Sequence, residues 1–183
     1  MAELELDQLV LRYCRQIIMK AMDHVRGAMR GERRLHLKRA VADPRLQKSQ
    51  QNLTKAIDRE AEDVILDSLR HKFAKLPRIK AYTVFAEELG IKTFPDGASE
   101  DEADLVVIID PIDGTEFIET LQGGWSLIAV YDRRGDEVIA AVAGDIFLDR
   151  LYWASKSGYP EGLDFHHPFL VQAGRRPRAE NQP

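Results

Sequence analysis

The chain of 183 residues has one cysteine, two tryptophans and no long apolar run. A lone cysteine, Cys14, cannot close an internal disulfide. Its place in an apolar helical pattern reads as core packing in a reducing compartment. No stretch is long and apolar enough to span a bilayer as a helix, so no membrane partner is expected. The amino terminus, MAELELD, is acidic where a secretory leader is basic, so export is not expected and a cytoplasmic protein is. A surplus of positive charge is missing too. The net charge of −4 and a pI near 5.8 argue against a general nucleic-acid binder. Internal repeats are absent. What is present is 44% hydrophobic residues, enough for a true core in one domain or slightly more.

Leu9, Val10, Tyr13, Cys14, Ile17, Ile18, Ala21, Met22, Val25 and Met29 form a wide apolar stripe and predict a first helix. Ile57, Ala61, Val64, Ile65, Leu66, Leu69 and Phe73 predict a second, with Thr54 as N-cap or first-turn residue. Strands are predicted at residues 81–86, 105–109, 125–131, 137–143 and 150–154, and Arg133-Arg134-Gly135-Asp136 supplies a hairpin turn. Two helices followed by a series of strands predict an α+β fold, with the helices packed on a largely antiparallel sheet. The ordered domain is expected over residues 1–158. Residues 159–183, rich in Pro, Gly, His and Arg, read as an irregular or disordered tail. The basic segment 30–39 reads as a solvated loop that could also steer a phosphorylated substrate. His166-His167 lacks nearby metal-binding partners and reads as incidental.

The richest segment is Asp110-Pro111-Ile112-Asp113-Gly114-Thr115, directly after the apolar run Leu105-Val106-Val107-Ile108-Ile109. Two carboxylates leave a buried strand three residues apart. Pro111 fixes its own φ and biases Asp110 toward an extended backbone, while Gly114 permits a tight turn and close ligand approach. An Asp-Gly pair alone is an ordinary turn. The whole hexamer offers hard oxygen ligands beside free N–H groups, which suits a divalent cation together with a phosphate. Two unit charges about 4 Å apart repel by roughly 1 kcal/mol in water and about 4 kcal/mol at an effective dielectric near 20, and a cation removes that penalty. Upstream, a strand ends in Glu87-Glu88-Leu89-Gly90. If the two strands are neighbours, Glu87 and Asp110 share one sheet edge. Taken alone, Glu87-Glu88 reads as a solvated turn, and Asp58 as a surface acid placed favourably in a helix first turn.

In this order the three elements resemble the inositol monophosphatase family, the lithium-sensitive, magnesium-dependent phosphatases that include fructose-1,6-bisphosphatase. The hexamer from Asp110 to Thr115 matches the family signature without substitution. Ala86-Glu87-Glu88 is similar to its Gly-Glu-Glu element. Thr54-Lys55-Ala56-Ile57-Asp58, with Glu62 and Ile65 behind it, is similar to its Thr-x-x-Asp helix start, with a gap one residue longer. Gly144-Asp145-Ile146-Phe147 through Tyr152-Trp153-Ala154 is a weaker match. The resemblance runs from about Leu6 to about Gly158.

The resemblance implies the first half of the αβαβα sugar-phosphatase fold and hydrolysis of a phosphate monoester of the inositol or sugar phosphate class, with Mg2+ as cofactor and inhibition by lithium. It implies that Glu87, Asp110, Asp113 and the carbonyl of Ile112 hold metal, that Glu87 and Thr115 position the attacking water, that Asp58 orders water at the metal, and that Gly114 and Thr115 N–H groups bind phosphate. The family's Trp-Asp-x-Ala-Ala element has no counterpart: Trp125 and Trp153 precede Ser126 and Ala154. A second family domain is therefore expected to be absent, and activity weak or lost. The alternative is a non-catalytic metal- or phosphoanion-binding domain that acts as a homo-oligomer.

Overall fold

The computed structural model describes residues 5–30, 40–41, 54–120, 122–157 and 172–175. The elements in chain order are α1 (Leu6–Arg30), β1 (Ala40–Val41), β2 (Thr54–Lys55), α2 (Ala56–Phe73), β3 (Tyr82–Ala86), β4 (Gly90–Phe94), a 3-10 turn at Glu100–Glu102, β5 (Leu105–Asp113), α3 (Thr115–Thr120), β6 (Trp125–Asp132), β7 (Glu137–Asp145), β8 (Arg150–Ser155) and β9 (Gln172–Arg175). The expected α+β class holds: two helices pack on a mixed, mostly antiparallel sheet.

Among the described residues that sheet has seven strands in the order β4-β3-β5-β6-β7-β8-β9. Every neighbouring pair is antiparallel except β3 and β5, which run parallel. The chain makes a hairpin outward from β3 to β4, then returns past the 3-10 turn to enter β5 on the inner side of β3. Asp104 fastens this return. Its side chain accepts the Lys80 N–H at 2.6 Å and pairs with the Arg134 guanidinium, and its own N–H donates to the Ala81 carbonyl at 2.9 Å. Strand starts and the β6–β7 hairpin are thereby tied at one end of the sheet.

The strands alternate as a sheet with one covered face requires. In β6, Ser126, Ile128 and Val130 are buried while Trp125, Leu127 and Ala129 are half-buried; β8 alternates likewise. The apolar stripe of α1 supplies Val10, Cys14, Ile17, Ile18 and Met22 to the core, and α2 supplies Ile57, Ala61, Ile65 and Leu69. Helix α1 lies close on β7 because Gly144 has no side chain. A Cβ there would stand 2.4 Å from Met22 Sδ and 2.6 Å from Ile18 Cγ2. Asp7, buried in the first turn of α1, accepts the Ser157 N–H at 2.8 Å and so fixes the helix start to the end of β8. On the opposite face, Ile108, Leu127, Ala129, Ala143 and Tyr152 contribute to an apolar basin of about 540 Å³.

Several features differ from the sequence-based expectation, among them β5, which runs to Asp113 where a strand ending at 109 was expected. Helix α2 starts at Ala56, and Thr54 belongs to a two-residue ladder with β1 instead of the helix start. Strand β4 and helix α3 were not predicted. Within the segment read as an irregular tail, Gln172–Arg175 pairs antiparallel with β8. The basic segment 31–39 and His166-His167 lie outside the described residues.

Candidate active site

The site forms where β3 ends beside β5, which runs on to Asp113. The parallel register places Ala86 opposite Ile109, so Glu87 and Asp110 follow next to each other at one sheet edge. The adjacency that the sequence left open is therefore present.

Residues three apart on a regular strand point to opposite faces. Asp110 and Asp113 escape that rule through an irregular register. Asp110 pairs with Leu127 and Asp113 with Trp125, so three steps on β5 match two on β6. The extra residue lies at Pro111-Ile112, where proline has no N–H for the ladder. Such a bulge flips the side-chain parity. Pro111 and Ile112 are both buried, Asp110 is half-buried and Asp113 exposed. The hexamer thus brings its two acids to one side although their spacing is odd.

This grouping is electrostatically uncomfortable. Burial, then the charges of Glu87 and Asp113, push the Asp110 carboxyl from its ordinary 3.8 up to about 6, against a backbone hydrogen bond at Ile112 that works the other way. Asp110 Oδ1 is also buried without a hydrogen-bond partner. A buried oxygen with no donor beside two further carboxylates is a place a hard cation would satisfy, and the all-oxygen donor set suits Mg2+. Among the described residues, however, no three acidic, histidine or cysteine side chains converge into a ready-made metal cage.

Helix α2 approaches from the covered face. Asp58, in its first turn, is buried, and its Oδ1 accepts a 3.0 Å hydrogen bond from the Thr115 hydroxyl across 57 residues of sequence. Asp58 lies in the first turn of α2 although Thr54 lies outside the helix. Thr115 Oγ1 also lies 3.0 Å from the Ile112 carbonyl, so its one proton is shared between two acceptors. Gly114, with φ of +82°, makes the turn from β5 into α3. One turn beyond Asp58, the buried Glu62 accepts the Glu88 N–H at 3.0 Å through Oε2. No role for Glu62 was read from the sequence. An acid one turn from Asp58, on the helix's apolar side, was the available signal.

Comparison with known proteins bears on the family and the fold. The model of the inositol monophosphatase family matches residues 7–166. No curated protein sequence matches the chain as a relative. Among solved structures, an inositol monophosphatase from Anabaena (Nostoc) sp. is similar with a TM-score of 0.59 and 19% identity over 93% of this chain and 48% of its own. Inositol monophosphatase II from Staphylococcus aureus has a TM-score of 0.57 and 20% identity over 81% of this chain and 47% of its own. An inositol monophosphate-bound SaIMPase-II has a TM-score of 0.54 and 20% identity over 90% of this chain and 46% of its own. At such identities the likeness is one of fold, and the chain spans about half the length of these structures. With a family match over most of its sequence, the chain belongs to the inositol monophosphatase family.

Proposed function

We propose that this chain carries the metal- and phosphate-binding half of a magnesium-dependent phosphate monoester hydrolase. The observation that carries the reading is the neighbouring placement of Glu87, Asp110 and Asp113 at one end of the sheet, close enough for the first and last to act on the charge of Asp110, whose Oδ1 is buried without a partner. Glu87, Asp110 and the Ile112 carbonyl would hold one ion, and Asp110 with Asp113 a second. Bound Mg2+ supplies charge neutralisation at the phosphate and makes a nearby water more acidic. Glu87, exposed at the mouth, takes the proton of the attacking water. The Thr115 hydroxyl, held by Asp58, orients that water. Main-chain N–H groups of Gly114 and Thr115, at the positive-φ turn, receive the phosphate oxygens. The substrate class is a small phosphorylated molecule of the inositol or sugar phosphate type, a choice supported by family membership and by the inositol monophosphate-bound structural neighbour. Lithium inhibits by taking a magnesium position. Among the described residues no helix is long and apolar enough to cross a membrane.

A second reading is favoured by the apolar outer face of the sheet. There the chain is a non-catalytic metal- or phosphoanion-binding domain that self-associates. Magnesium-dependent phosphate release from a panel of monoesters, with lithium and D113N as controls, separates the two. Turnover that requires magnesium and is lost in D113N supports the hydrolase. Magnesium binding in calorimetry without turnover, together with a stable oligomer in light scattering, supports the second reading. Neither binding nor turnover refutes both.

A further inference from the structure

Two buried acids on α2 hold the two segments that carry the site. Asp58 Oδ1 accepts from Thr115 at the start of α3, just after β5, and Glu62 Oε2 accepts from the Glu88 N–H in the turn between β3 and β4, each at 3.0 Å. They are four residues apart, hence neighbours on one helix face. Glu62 is 2% exposed and Glu88 8%. A polar oxygen this deep needs a donor, because leaving it without one is costly. Glu87 lies between two fixed points. On one side Ala86 is locked in ladders with Ile109 and Gly90, and on the other Glu88 is fastened to Glu62. We infer that Glu62 is a positioning residue for Glu87: through the Glu88 N–H it fixes the peptide that sets where the Glu87 carboxylate meets Asp110. The inference rests on the metal-binding reading above and assigns Glu62 no contact with metal or substrate.

Residues that orient metal ligands typically change affinity by roughly tenfold to a hundredfold when removed. The test uses the full chain with Glu62→Ala and Glu62→Gln, read by magnesium calorimetry and by amide hydrogen exchange of Glu88 in metal-free protein. Glutamine keeps a carbonyl oxygen able to accept the same N–H. E62A is expected to lose Glu88 protection and to bind magnesium roughly tenfold or more weakly, whereas E62Q keeps protection and stays within a few-fold of the parent chain. Should E62A fail to fold, Glu62→Met fills the same space without an acceptor and is expected to behave as E62A does. Parent-like magnesium affinity in E62A or E62M overturns the inference and leaves the metal site standing. Equal losses in E62Q and E62A overturn it as well, because the acceptor then does not matter. Absence of magnesium binding to the parent chain overturns the metal-binding reading and this inference with it.

Discussion

Asp110 should weaken the metal-free fold and become an asset only when a cation is bound. Its folded pKa of about 6, against an ordinary 3.8, measures how strongly the site resists the charge. A shift of about two units is worth at most roughly 3 kcal/mol. Asp110 is only half-buried, and solvent screening reduces this to about 1 kcal/mol. Asp110→Asn keeps the shape and removes the charge. In chelator at pH 8 it should therefore raise stability by about 1 kcal/mol, or roughly 2–4 °C in melting temperature for a chain of this size. The sign can be checked against pH. The folded state binds its proton more tightly than the unfolded one, so stability is fully present below the ordinary carboxylate range and falls as pH rises through about 6. The advantage of D110N should accordingly shrink as pH drops below 6. Magnesium should reverse the ranking. At about a hundred times its dissociation constant it adds about 2.7 kcal/mol to the parent chain, and it should add little to D110N. Thermal melts at two pH values, with chelator and with magnesium, give all four quantities. If D110N melts lower than the parent chain in chelator at pH 8, Asp110 is a structural anchor and the electrostatic account of the site is wrong.

Other parts of the fold give independent checks. Gly144→Ala should destabilise by about 1–3 kcal/mol in denaturant unfolding, since the added carbon meets Met22 and Ile18, both fully buried; a neutral result would mean that α1 is not seated on β7 as described. Burial alone would raise the Asp104 carboxyl, but the Lys80 and Ala81 amides and the Arg134 guanidinium outweigh it and hold it below its ordinary value. Asp104→Asn should lose roughly 1–2 kcal/mol at pH 7. That loss should vanish as acid protonates the parent carboxyl below the ordinary range, and urea midpoints at neutral and acid pH would show a constant difference if the carboxylate charge were irrelevant. Burial pushes the Cys14 thiol far up, so it should react with a thiol reagent only as fast as the chain unfolds; rapid labelling of native protein would contradict the core position of α1.

The parts of the fold legible in the sequence were those with a strong period or a strong local signal. The α1 and α2 stripes, the apolar strand at 105–109 and the β6–β7 hairpin all announce themselves within a short window. What could not be read depends on pairing. Residues 90–94 have Ile91 exposed and no alternation, and they become β4 only because β3 offers an edge. Residues 172–175, Gln-Ala-Gly-Arg, have weak strand propensity and are strand through their ladder with β8. Helix α3, six residues long, is too short to show a helical period. The bulge was hidden for another reason. Asp110 and Pro111 break the apolar run, so nothing local reveals that β5 goes on through the hexamer and gains a residue against β6. The individual acids were therefore readable as candidates, but their meeting was a property of register.

That register explains why the two acids and their strand need each other. Without the bulge, Asp113 would turn toward the helices, and burying an unpaired carboxylate there is far more costly than exposing it. With the bulge, Asp110 and Asp113 both leave the core, at the cost of crowding charge beside Glu87. Asp110 then stands at the border of two surfaces, since it lines the apolar basin as well as the acidic edge. Covering that basin would strip water from Asp110 and make its bare charge harder to keep; a cation at the edge would remove the objection. Metal binding and coverage of the outer face therefore act on the same carboxylate, and each should make the other more favourable. The helices hold the opposite side of this arrangement still, through Asp58 to Thr115 and Glu62 to Glu88. The electrostatic strain is thus concentrated on one side chain of a well-packed scaffold.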